Sequence, residues 1–288
     1  MDSWKSRWGA TQWAAFFENQ ALPVTRGSKL MLAELESAEG ELLSPKDLLA
    51  IVLQDPLLCL CLMREAERRK SHRLDRETTT ALAAILQLGV DEFRSLLLAS
   101  PEIDETNLGL LKAGARARIA SQIAQVWSAG RMDMNPEDVA VATLLAGTGD
   151  LLLWVYVQEI PQKAENQLKS GRAKRSAEAQ VQACGFTFKD LTLQCAERWK
   201  LPALVIQLLR GSDSVRAKLT RTCSNAARHL LDESETATLA LATDLVEAIK
   251  LIPNVSLEWL AEGLVMLPDE RRPELLTKAQ ALLAGQGV

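Results

Sequence analysis

The sequence predicts an all-α protein, a two-part helical bundle, and three observations carry that prediction. Ala, Leu, Glu, Gln, Lys and Arg dominate the chain, and all favour helix. No run alternates β-branched residues as a strand would. Apolar faces at helical spacing recur in segment after segment, as at Leu48, Leu49, Val52 and Leu53.

Composition narrows the class further. The 288 residues are 48% hydrophobic and 24% charged, ordinary for a globular protein and enough for one large core or two modest ones. A net charge of −4 lacks the basic footprint of a nucleic-acid binder, so nucleic acid is not an expected partner. Met1 to Lys5 carries no apolar signal core. The best apolar run, Leu144 to Val157, is interrupted by Asp150 and two glycines, so no membrane span is expected. Cys59, Cys61, Cys184, Cys195 and Cys223 are odd in number and sit in helical patterns. They read as buried small hydrophobes of a cytoplasmic protein rather than a disulfide framework.

The elements follow in order. Ser3 to Asn19 reads as a first helix, with Trp4, Trp8, Trp13, Phe16 and Phe17 at helical spacing. Leu30, Leu32 and Leu35 mark a short second one. Ser44-Pro45 with Asp47 is a start signal, a cap followed by proline at the first helical position. Asp55-Pro56 repeats it for a helix reaching Arg69. Ala81 to Leu88 ends at Gly89, and Asp91 is the expected cap of the next helix, which stops before Pro101. The Ser100-Pro101 junction is the expected boundary, giving subdomains 1–101 and 102–288. A long helix follows from Leu108 to Ala129, then one from Asn135 into the apolar stretch 138–157. That stretch is broken by Ala146-Gly147-Thr148-Gly149, the pattern of two buried helices meeting at a glycine turn. Helices at 161–170, 176–184, 188–199, 201–210, 212–231, 233–251, 254–263 and 268–284 complete the chain, the last two packing on the body.

Chemistry is sparse. His72 and His229, the only histidines, stand apart from other ligand types in sequence. Gly147-Thr148-Gly149 lacks the lysine and preceding strand of a phosphate loop. Two basic clusters, Arg64, Arg68, Arg69, Lys70 and Arg73, and Lys169, Arg172, Lys174 and Arg175, lack interleaved aromatics and read first as solvated charge. Trp4, Trp8 and Trp13, together with Lys169, Arg172, Lys174 and Arg175, are the candidate interaction surface.

Five blocks in order resemble the HDOD family: residues 17–35; 43–63, around the Asp55-Pro56 pair; 79–98, with its Leu88-Gly89; 140–153; and 184–209, with Arg198-Trp199-Lys200-Leu201-Pro202. The resemblance implies an N-terminal helical subdomain packed on an HD-like C-terminal one with a helical extension. In HD phosphohydrolases the fourth block carries paired His and Asp metal ligands. Here those positions fall on Ala146 and Gly147, and the Lys position falls on Asp150. No His lies near Leu111 to Ala115, and Arg210-Gly211-Ser212 stands where relatives often carry one. Alanine and glycine cannot hold a cation. The resemblance therefore implies no cofactor and a non-catalytic signalling protein. It would act through contact with a partner (a kinase, response regulator or cyclic-nucleotide enzyme) or through a ligand. The alternative is a residual metal-dependent phosphohydrolase acting on a nucleotide or phospho-signal.

Overall fold

The computed structural model describes residues 8–39, 43–69 and 78–285. Helices succeed one another along the chain: α1 (Ala10–Glu18), α2 (Arg26–Glu39), α3 (Pro45–Gln54), α4 (Pro56–Arg68), α5 (Ala81–Leu88), α6 (Val90–Ala99) and α7 (Leu108–Ala129). Then come α8 (Pro136–Leu145), α9 (Thr148–Tyr156), α10 (Glu159–Lys169), α11 (Ser176–Cys184), α12 (Phe188–Arg198) and α13 (Ala203–Arg210). Finally come α14 (Val215–Leu230), α15 (Ala237–Leu251), α16 (Leu257–Glu262) and α17 (Arg272–Gly285). Among the described residues there is no strand. An isolated parallel bridge joins Val24 to Glu102.

The all-α prediction holds, with local differences that have physical causes. The second helix is longer than its leucines suggested, because Thr25 and Ser28 anchor its start. The helix expected from Pro161 begins earlier, at Glu159, and Pro161 lies inside its first turn, where a missing N–H costs nothing. Gly89, at φ 88°, both ends α5 and caps α6, so Asp91 falls in the first turn instead of at the cap.

The chain forms two compact units. The first comprises 1–115 and 145–206, the second 116–144 and 207–288. They interleave along the sequence, so a single cut at Pro101 does not reproduce them.

In the first unit α1 packs on α12, α12 on α9, α10 on α11, and α3, α4 and α5 on one another. Trp154 of α9 lies flat against Gly109 of α7. A β-carbon there would come within 2.3 Å of the indole. Asn107 secures the approach, its amide donating to the Trp154 carbonyl at 2.8 Å while its oxygen accepts from the Leu110 N–H at 3.0 Å.

The second unit is centred on Trp127, which is fully buried and donates Nε1–H to the Leu260 carbonyl at 2.9 Å. Leu219, Leu245, Leu260, Leu264 and Leu275 complete its core, so the last helices belong to it as expected.

At 21 residues, segment 136–156 is long and apolar enough to cross a membrane by length and composition. Yet 72% of its apolar window is buried inside the protein, and its helix is interrupted at Ala146-Gly147, as befits a core segment. Leu144, Leu145, Leu151, Leu152 and Trp154 are all buried.

Candidate functional site

The turn before α9 is shaped by the helix it faces. Gly149 sits so close to α12 that a β-carbon would meet the Phe188 carbonyl at 2.3 Å. Its N–H donates to the Thr192 hydroxyl at 2.9 Å, and that hydroxyl in turn donates to the Phe188 carbonyl at 3.0 Å. Thr148 closes the turn by donating to the Leu145 carbonyl at 2.7 Å. Gly147 differs from Gly149. Its φ is −90°, and a β-carbon on it would meet nothing within 4 Å. A side chain is thus sterically admissible at position 147 and excluded at 149.

Asp55 forms the second polar focus. It is fully buried. One carboxylate oxygen accepts from the N–H groups of Leu57 and Leu58 at 3.0 and 3.1 Å, capping α4. The other accepts from the Thr25 N–H at 2.7 Å and the Ser28 hydroxyl at 2.8 Å, at the start of α2. The Asp55-Pro56 pair is therefore more than a start signal, since it ties two helix N-termini to one anion.

The family model of the HDOD domain matches residues 28–215, about two thirds of the sequence. The chain belongs to the HDOD family. Its structure is similar to that of a virulence factor from Campylobacter jejuni subsp. jejuni, with a TM-score of 0.70 at 16% identity, covering 93% of this chain and 97% of that one. It is also similar to the MmoQ response regulator from Methylococcus capsulatus str. Bath, with a TM-score of 0.59 at 18% identity and coverage of 90% and 98%. At these identities the likeness is one of fold. No curated protein matches the chain.

In this HDOD protein the two residues on which the sequence resemblance places the metal ligands of HD enzymes do not fit a cation. Ala146 and Gly147 offer no donor atom beyond backbone. Among the described residues no three His, Cys, Asp or Glu side chains converge as a metal site. His72 lies outside the described residues. His229 pairs with Asp244 in the second unit, Nδ1 to Oδ2 at 2.6 Å, while Arg228 approaches its Nε2 at 3.1 Å. Burial holds the Asp244 carboxyl above its ordinary range, partly countered by His229.

The candidate interaction residues divide. Trp4 lies outside the described residues. Trp13 is 1% exposed, so it is core rather than surface. It stacks on Phe17 at 5.7 Å and meets Trp8 edge-on at 4.9 Å, in a cluster that extends to Tyr156. A helical aromatic stripe looks the same from sequence whether it faces core or solvent, and the facing α12 decides here. Lys169, Arg172, Lys174 and Arg175 are exposed around the α10–α11 connection, with Lys169 near Glu165 at 3.4 Å. In the other basic cluster Arg68 and Arg69 share Glu65, and Lys70 and Arg73 lie outside the described residues. Four of the cysteines are buried and Cys184 is half-buried, all as free thiols. Burial pushes the Cys195 thiol up to about 12, so it is an inert packing group.

Proposed function

We propose that this HDOD protein is a non-catalytic signal-transduction component that works through contact with a partner protein. The observation that carries this reading is the turn at 146–149. Its backbone packs closely against α12, and the two positions on which the resemblance places metal ligands bear a methyl group and a hydrogen. Metal-assisted hydrolysis needs His and carboxylate ligands to fix the cation and activate water. The exposed Lys169, Arg172, Lys174 and Arg175 suit an acidic face on a kinase, response regulator or cyclic-nucleotide enzyme, and MmoQ is a response regulator with this fold. The free thiols fit a reducing cytoplasm.

Two measurements on the full chain test the reading. Elemental analysis after purification from metal-supplemented cells is expected to find no stoichiometric Fe, Mn or Zn. Phosphate release from nucleotides and cyclic nucleotides is expected to stay at background. Stoichiometric metal together with turnover would establish the phosphohydrolase reading instead. Reversing Lys169, Arg172, Lys174 and Arg175 to Glu should abolish co-purification of the partner while leaving the fold unchanged by circular dichroism.

A further inference from the structure

The Arg198-Trp199-Lys200-Leu201-Pro202 block contains a residue that neither the fold nor the proposed function accounts for. Trp199 closes α12 and is buried, and among the described residues its Nε1–H has no hydrogen-bond partner. An orphaned buried donor is rare enough in native structures to need an explanation.

Across its ring, in the same unit, lies a second under-served donor. The Arg64 guanidinium of α4 sits 5.6 Å from the centroid of the Trp199 ring. Arg64 is half-buried; its Nη1 donates to the Gln20 carbonyl in a long 3.5 Å contact, and the guanidinium also reaches the Cys61 thiol. A guanidinium carries five N–H donors, so several are left for a further acceptor.

Among the described residues Arg64 forms no ion pair with a carboxylate. Glu65, next in the chain, is taken up by Arg68 and Arg69 at 2.9 and 2.6 Å. Burial pushes the nearby Tyr156 phenol up to about 12, so it stays neutral and donates to the Ala21 carbonyl. The Cys61 thiol beside Arg64 is likewise raised by burial and stays protonated.

We propose that Arg64 and Trp199 form a binding site for a small oxyanion, the carboxylate or phosphate group of a soluble metabolite. The guanidinium would take two oxygens of the anion side by side, the geometry that suits both groups. The indole N–H would supply the inner donor. The site uses nothing from the 146–149 turn and stands or falls apart from the regulatory reading.

The test reads the indole directly. In the ¹⁵N-labelled full chain, the Trp199 Nε1–H resonance is identified by its loss in Trp199→Phe. Sodium phosphate and sodium acetate are titrated separately, with sodium chloride matching ionic strength. The expected result is a saturable shift of that resonance with one or both oxyanions and none with chloride. Phosphate alone, acetate alone or both would assign the phosphate class, the carboxylate class or oxyanions in general. Arg64→Gln should weaken the response by roughly tenfold or more, and Arg64→Lys by less. A Trp199 resonance that moves no further than in chloride overturns the proposal, as does an Arg64→Gln variant that responds like the parent. If Arg64→Gln does not fold, as judged by thermal unfolding, the titration of the parent chain decides alone.

Discussion

Two helix junctions of the first unit make a useful pair. At Asp55-Pro56 the junction before α4 is held by a buried carboxylate with four donors. At Ala146-Gly147 the junction before α9 has no charged side chain, and a hydroxyl of α12 and a bare glycine hold it. The first is an electrostatic clamp whose removal strands four donors. The second depends on shape, on the absence of a β-carbon at 149 in particular. In this chain one helix junction is thus organised by a buried charge and the other by the close approach of backbone to backbone.

Substitutions rank the two junctions. Asp55→Ala should have the largest effect, about 3–5 kcal/mol by urea denaturation, because the Thr25, Leu57 and Leu58 N–H groups and the Ser28 hydroxyl lose one shared acceptor. A loss below about 1 kcal/mol would show that water replaces the carboxylate and that the clamp is dispensable. Gly149→Ala should cost about 2–3 kcal/mol, since the new methyl meets the Phe188 carbonyl at 2.3 Å. If it proves harmless, the α9–α12 contact is looser than described and the contrast with Gly147 fails.

A third perturbation compares the buried Asp55 with the buried Asp244 of the second unit. Burial raises Asp244 above its ordinary 3.8 while His229 and Arg228 oppose the rise. A raised folded-state value means the stabilising form is the protonated one. Its contribution is full below pH 3.8 and is lost as pH rises through the folded value. Asp244→Asn removes this titration. The stability of the parent minus that of the variant should therefore fall as pH rises across that window. Denaturant midpoints taken from acid to neutral pH for both proteins check it, and parallel curves would refute the assignment. The smallest effect belongs to Gly147→Ala, within about 0.5 kcal/mol in either direction, because the site is open and the φ of −90° suits any residue.

Helix identity was legible in the sequence because its causes are local. Ser44-Pro45 and Asp55-Pro56 each announce a helix, since the bonds that start it are local: Asp47 accepts from the Ser44 N–H three residues back, and Asp55 accepts from the Leu57 N–H two residues on. The leucines around 144–154 were legible as core from their density alone. Trp13 was ambiguous, since periodicity places it on a face without saying what covers that face. Tertiary structure had to decide the rest. The second half of the Asp55 clamp comes from 27 and 30 residues away, and Thr192 reaches Gly149 across 43. The interleaved units and the meeting of Arg64 with Trp199 are of the same kind. Contacts between residues so far apart in sequence leave no periodic trace, because chain folding and not local backbone preference brings them together.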